Sequence, residues 1–249
     1  MLAPSPALPA FGISRTLRAD TLVILLSLAA LLAWDLSGLD LALSSWFGNA
    51  QGFAWRDRWI TGTLLHDWAR YPAWALFGVL LVNIRWPLPF ARGLSRRERV
   101  LWVLVTLACV ILIPLLKHGS ATSCPWDQAR FGGDLAVGYV PHWQFWKQDG
   151  GPGRCFPSGH ASTAFCFLAG WFALRRTAPM AARRWLAIAL ACGAVFAWVQ
   201  VMRGAHYLSH SLWTAWLCWT LSAAAWHLAE ARRGLRRAAA PAGLSAVKG

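Results

Sequence analysis

Along this chain, runs of roughly 17 to 24 mostly apolar residues, long enough to cross a ~30 Å hydrocarbon core, alternate with short polar segments. The runs lie near Thr21–Leu39, Tyr71–Ile84, Val100–Leu116, Pro157–Leu174, Trp185–Met202 and Tyr207–Ala229, the first interrupted by Asp35 and the second short. This spacing predicts an all-α integral membrane protein in which six transmembrane helices form a bundle. Residues 21–229 are then one membrane domain, preceded by a cytoplasmic N-terminal segment at 1–20 and followed by a flexible basic cytoplasmic tail at 230–249. Met1–Ala19 lacks the pattern of a cleavable signal peptide, and the first apolar run is long enough to stay as an anchor.

Composition agrees with the pattern. Of 249 residues 57% are hydrophobic and only 14% charged, far from a soluble average, and 18 are tryptophan. The formal charge of +14 is concentrated in segments that six spans would place on one side: Arg15, Arg18, Arg92, Arg96, Arg97, Arg175, Arg176, Arg183, Arg184 and the arginines after Glu230. The positive-inside rule puts that side, with both termini, in the cytoplasm. Such a rim needs only anionic headgroups as partners, and nothing in the chain pairs a basic stretch with stacking aromatics as a nucleic-acid binder would.

Polar clusters at span ends carry the candidate chemistry. Cys155-Phe156-Pro157-Ser158-Gly159-His160 opens the fourth run with a proline start, small residues and a histidine; backbone N–H groups at such a helix start favour an anion, and the imidazole can move a proton. The tetrapeptide alone is equally an ordinary proline-started helix. Lys117 closes the third run, where a lysine can also simply snorkel to the headgroups. Arg203, His206 and His210 recur at three- and four-residue spacing at the start of the sixth. His206 with His210 also fits half of a metal or haem site, but the spans offer no matching second pair. Six-span topology brings Lys117, His160, Arg203 and His206 to the same, non-cytoplasmic face, which favours one shared site. Cys124 and Cys155, on that face, are expected to form a disulfide rather than remain free thiols. The segment Asp40–Arg70, with Trp46, Trp55, Trp59 and Trp68, reads as interfacial, and its His66 and Arg70, four apart, are further candidates to approach the site.

With these residues the chain resembles the type 2 phosphatidic acid phosphatase and haloperoxidase superfamily. That family carries a lysine followed after six residues by Arg-Pro, then Pro-Ser-Gly-His, then Ser-Arg, five residues, His, three residues and Asp. Lys117, Pro125, Pro157 through His160, and His206 match; Cys124, Gln200 and His210 stand where the family has Arg, Arg and Asp. The resemblance is strong over Val100–Trp219. It implies a membrane phosphatase needing no metal and no cofactor, in which His206 attacks phosphorus, His160 protonates the leaving oxygen, and Lys117, Arg203, Ser158 and Gly159 hold the phosphate. Arg203, one turn after Gln200, and Arg130 or Arg154 are the candidates to replace the missing arginines. His210 would orient His206 as a neutral acceptor, leaving activity sensitive to falling pH. The implied substrates are lipid phosphates or diphosphates such as undecaprenyl diphosphate, lipid A, phosphatidylglycerophosphate or phosphatidic acid, in a bacterial inner membrane with the site facing outward. Alternatives are a lipid phosphotransferase using the same intermediate, a silent scaffold, or a haem or metal protein; the oligomeric state is open.

Overall fold

The computed structural model describes residues 15–133 and 137–238. It is mostly helical. The main elements are α1 (Arg15–Ser37), α2 (Leu39–Ser44), a two-residue hairpin β1 (Gly48–Asn49) and β2 (Gly52–Phe53), a π-helix (Trp59–Trp68), α3 (Arg70–Arg85), α4 (Arg96–His118), α5 (Gly159–Phe165), α6 (Ala169–Leu174), α7 (Pro179–Met202) and α8 (Leu208–Ala238). Each starts and stops for local reasons. Ser95 and Glu98 form a reciprocal capping box at the head of α4. Pro179 begins α7, and Gly204, in the left-handed region at φ 68°, ends the turn after it.

Among the described residues, α1, α4 and α7 are long and apolar enough to cross a membrane, and they mark this as a membrane protein. The other helices depart from that pattern for physical reasons. With 16 residues, α3 is shorter than the ~20 needed for a full span. The fourth apolar run folds as α5 and α6 joined by a 3₁₀ turn at Cys166–Leu168. In α8, Ser209, His210, Ser211, Thr214 and Ser222 form a buried polar stripe that lowers its hydropathy. The outward faces of α1, α4 and α7 are apolar, with Leu22, Leu26, Leu36, Leu115 and Ile188 exposed, while several buried positions are polar. That inversion is what a lipid solvent requires.

Both ends of the expected domain shift. Helix α1 already begins at Arg15 and buries Asp20, so 15–20 belongs to the bundle. Helix α8 continues past Glu230 to Ala238, and Arg233 Nη1 donates to Glu98 Oε1 at 2.6 Å, so the expected tail begins as packed helix; its remainder, like residues 1–14, lies outside the described residues.

Close backbone approach locks the elements that later meet at the site. Helices α5 and α7 pack at Gly193, where a β-carbon would overlap the Phe165 ring, and α6 meets α7 at Gly170, where it would overlap the Trp185 indole. At the end of the bundle far from α5's start, Asp20 accepts hydrogen bonds from Arg175 Nη1 (2.6 Å) and His227 Nε2 (2.7 Å), tying α1 to the end of α6 and to α8. Trp213 Nε1 donates to Asp35 and Trp216 Nε1 to the Ile24 carbonyl, which stitch α8 to α1.

Replacing Gly193 by Val forces α5 from α7 and is expected to cost about 1 to 3 kcal/mol, read as a lowered unfolding temperature by tryptophan fluorescence in detergent. Gly78, with open space around its α-carbon, should take the same substitution with less than half that shift.

Candidate active site

Four segments converge on one polar cavity of about 340 Å³, lined by His66, Asp67, Arg70, Lys117, Cys124, Trp126, Gly159, His160, Thr163, Gln200, Ala205 and His206. Lys117 arrives in the last turn of α4. Its Nζ lies so close to Gly159 that a β-carbon there would sit 3.9 Å from it. His160 arrives in the first turn of α5, and His206 in the turn between α7 and α8.

The crossing segment from Gly119 to Pro157 is pinned at both ends. Arg154 N–H donates to Ser120 O at 2.8 Å and Cys155 N–H to Thr122 O at 2.9 Å, so its two ends run side by side. Cys124 and Cys155 are joined as a disulfide across them, with α-carbons 5.2 Å apart. Asp149 accepts from Ser123 N–H at 2.6 Å, Ser123 Oγ at 2.8 Å and Gly151 N–H at 3.0 Å. Trp126 N–H then donates to Gly204 O at 3.0 Å, fastening this segment to the His206 turn. Gly204 carries no side chain for two reasons: its φ is positive, and a β-carbon would strike the Phe53 ring.

His206 is 4% exposed. Its Nδ1 lies 3.4 Å from Cys155 Sγ and 3.5 Å from His210 Nδ1, which leaves Nε2 for the cavity. Burial, and then the Lys117 ammonium, hold this imidazole well below its ordinary pKa of 6.5. His206 is therefore neutral, with a lone pair available, throughout the neutral range. Its neutral form persists below the usual histidine range.

His210 is not the acceptor that the motif comparison suggested. Its Nδ1 lies 3.0 Å from the Cys155 carbonyl, and a carbonyl only accepts, so His210 Nδ1 carries the proton and cannot receive one from His206. In place of the family's aspartate, His206 Nδ1 has Cys155 Sγ at 3.4 Å and His210 Nδ1 at 3.5 Å as its neighbours. Behind His210, His142 stacks on Phe156 at 4.1 Å and its Nε2 lies 3.2 Å from Asp35 Oδ2.

Four other expected phosphate ligands are placed elsewhere. Ser158 is fully buried: its hydroxyl caps α5 by accepting Ala161 N–H, and its own N–H donates to His210 O at 3.1 Å. Arg203 is outside the lining; its Nε donates to the Arg56 carbonyl at 2.9 Å and its Nη1 to Gln200 Oε1 at 3.4 Å. Arg130 is exposed over its own Phe131 ring, and Arg154 is exposed with φ 57° in the strap. The cavity instead gains Arg70, four residues after His66. Gln200 lines it at the position where the family has arginine. Trp126 is flanked by the Arg56 guanidinium at 4.5 Å and that of Arg203 at 6.0 Å.

Residues 99–233 match the family model described as the PAP2 superfamily, more than half of the chain. The chain belongs to the PAP2 superfamily, that of the type 2 phosphatidic acid phosphatases. No curated protein and no solved structure gives a significant match. PAP2 proteins are generally phosphatases, with phosphotransferase activity also in the family's range. The matched stretch contains all three PAP2 motif positions seen here, Lys117, His160 and His206, and excludes the π-helix that supplies His66, Asp67 and the approach to Arg70. A metal reading of the PAP2 cavity meets a chemical obstacle: Cys124, Cys155 and His206 offer ligand atoms within 4.8 Å of one another, but the two sulfurs are bonded to each other and neither is a thiolate.

Two outcomes test this geometry. Nitrogen NMR of the histidine rings, with the His206 signal assigned by its loss in His206→Gln, should show His206 still neutral below pH 6.5. His210→Asn, whose amide keeps a donor toward the Cys155 carbonyl, should retain at least about tenfold more activity than His210→Asp, which restores the family residue but sets a buried carboxylate against a carbonyl.

Proposed function

We propose that the protein is a membrane-embedded lipid phosphate or diphosphate phosphatase working through a phosphohistidine on His206. The observation that carries this reading is the placement of a buried neutral imidazole, an ammonium and a second imidazole around one cavity. His206 Nε2 attacks phosphorus as its Nδ1 is held beside the Cys155 carbonyl. Lys117 and Arg70 offset the charge on the non-bridging oxygens, and Gln200 and the Gly159 backbone offer hydrogen bonds to them. His160, across the cavity, protonates the leaving oxygen after its Nε2–H leaves the Leu65 carbonyl, to which it donates at 2.8 Å. Water then takes the leaving group's place and releases phosphate from nitrogen.

A lipid substrate is supported by what adjoins the cavity. Thr163 lines it, and also lines an apolar groove of about 310 Å³ bounded by Ala73, Leu76, Phe167, Trp185, Ile188 and Phe196 between α3, α5 and α7. A headgroup in the cavity can thus keep its tail among helices. The disulfide beside His206 supports a site on the oxidising, non-cytoplasmic side, in line with the arginine-rich opposite end. We place α1, α3, α4, α5 with α6, α7 and α8 as the six crossing segments, in a bacterial inner membrane.

Purified protein should release inorganic phosphate from a panel of lipid phosphates and diphosphates, and His206→Ala should lower that rate by at least about 10³-fold. With ³²P-labelled substrate, an acid-labile label should appear on wild type and not on His206→Ala. Label passing to a second lipid instead of to inorganic phosphate would make the protein a phosphotransferase.

A further inference from the structure

The cavity lining holds a third histidine, His66, that no PAP2 motif accounts for. A π-helix is rare and tends to mark functional positions; the one at Trp59–Trp68 ends by delivering His66 and Asp67 to the cavity, with Arg70 one turn on. His66 stacks on His160, ring centroids 4.8 Å apart and planes at 27°. Its Nδ1 lies 2.9 Å from Asp67 Oδ1, so Nδ1–H donates to the carboxylate and Nε2 is left as the exchanging nitrogen. Side chains of both are partly exposed, 40% and 54%, so the pair can trade protons with solvent. His160 is differently placed. Its Nε2–H is bound to the carbonyl of Leu65, the residue directly before His66, and its ring is held between His66 and Phe196.

We propose that His66, held by Asp67, is a second catalytic imidazole that shares proton transfer at the leaving oxygen with His160. The proposal rests on the phosphohistidine reading. As His206 Nε2 forms its bond to phosphorus, the phosphorus–oxygen bond to the leaving group breaks with its electron pair on oxygen. That oxygen takes one proton, from His160 Nε2–H or, where His66 carries its second proton, from His66 Nε2–H. In the second half, neutral His66 Nε2 takes a proton from water as the water oxygen bonds to phosphorus and the nitrogen–phosphorus bond breaks, which restores the imidazolium. Ester and water become alcohol and phosphate, with no other reactant.

The distinguishing measurement is leaving-group dependence. Two single-chain amphiphiles with the same tail serve as substrates: an alkyl phosphate, whose alkoxide needs a proton to leave, and an alkyl-substituted nitrophenyl phosphate, whose phenolate does not. Comparison by kcat/KM isolates the first chemical step. His66→Gln should lose about 100-fold on the alkyl ester, and that loss should exceed its loss on the nitrophenyl ester at least tenfold. Asp67→Asn should show the same ordering with a smaller loss, and it decides the matter if His66→Gln does not fold. Equal losses on the two esters, or no loss on either, overturn the role of His66 while wild-type turnover leaves the phosphatase reading standing. Wild type inactive on both esters overturns the phosphatase reading itself.

Discussion

The site depends on keeping one imidazole buried, neutral and correctly turned. His206 sits under the strap that runs from α4 to α5, and the disulfide holds that strap where the Cys155 carbonyl and sulfur face its Nδ1. Burial removes the charged form and the nearby ammonium removes it further, so no carboxylate is needed to keep the ring ready. An aspartate in the place of His210 would stabilise a charged intermediate more strongly. Here the disulfide sulfur of Cys155 and the ring of His210 flank Nδ1, and the imidazole that replaces the aspartate anchors the Cys155 carbonyl.

The three departures from the PAP2 motifs are coupled through this arrangement. Cys124 replaces an arginine and forms the disulfide that positions Cys155. His210 replaces the aspartate and donates to the carbonyl of Cys155. Gln200 replaces the other arginine and accepts from Arg203, which is spent on binding the Arg56 backbone and supporting the cavity wall. Cationic charge at the cavity comes instead from Arg70, at the head of α3. The changes together trade side-chain ionic contacts for covalent and backbone ones, and place a cation at the cavity on the first residue of α3.

Charge elsewhere in the bundle obeys the same constraint. Asp20 is satisfied by Arg175 and His227, and Glu98 by Arg233 at 2.6 Å with Arg176 at 3.4 Å, both at the end remote from the cavity. Inside a lipid-facing bundle an unpaired carboxylate is costly, so ionic groups collect where partners from several helices meet. Those pairs fix the far end of α1, α4, α6 and α8, and the tight α5–α7 approach at Gly193 joins two of the helices that reach the cavity.

What the sequence by itself determined is whatever depends on neighbours along the chain. Apolar run length determined the positions of the helices, the Ser95 capping box and Pro179 their starts, and the spacing of Lys117, Pro-Ser-Gly-His and His206 the family. The roles of single polar side chains were decided only by tertiary structure. Whether Ser158 meets a phosphate or caps a helix, whether Arg203 faces the cavity or lies behind it, and whether His210 accepts or donates each depend on which distant group arrives within about 3 Å, and sequence spacing does not encode that distance. The same holds for Asp67, and for His66 and Arg70, whose four-residue spacing marked them as candidates without fixing their place: they join the site because the π-helix before α3 folds onto it.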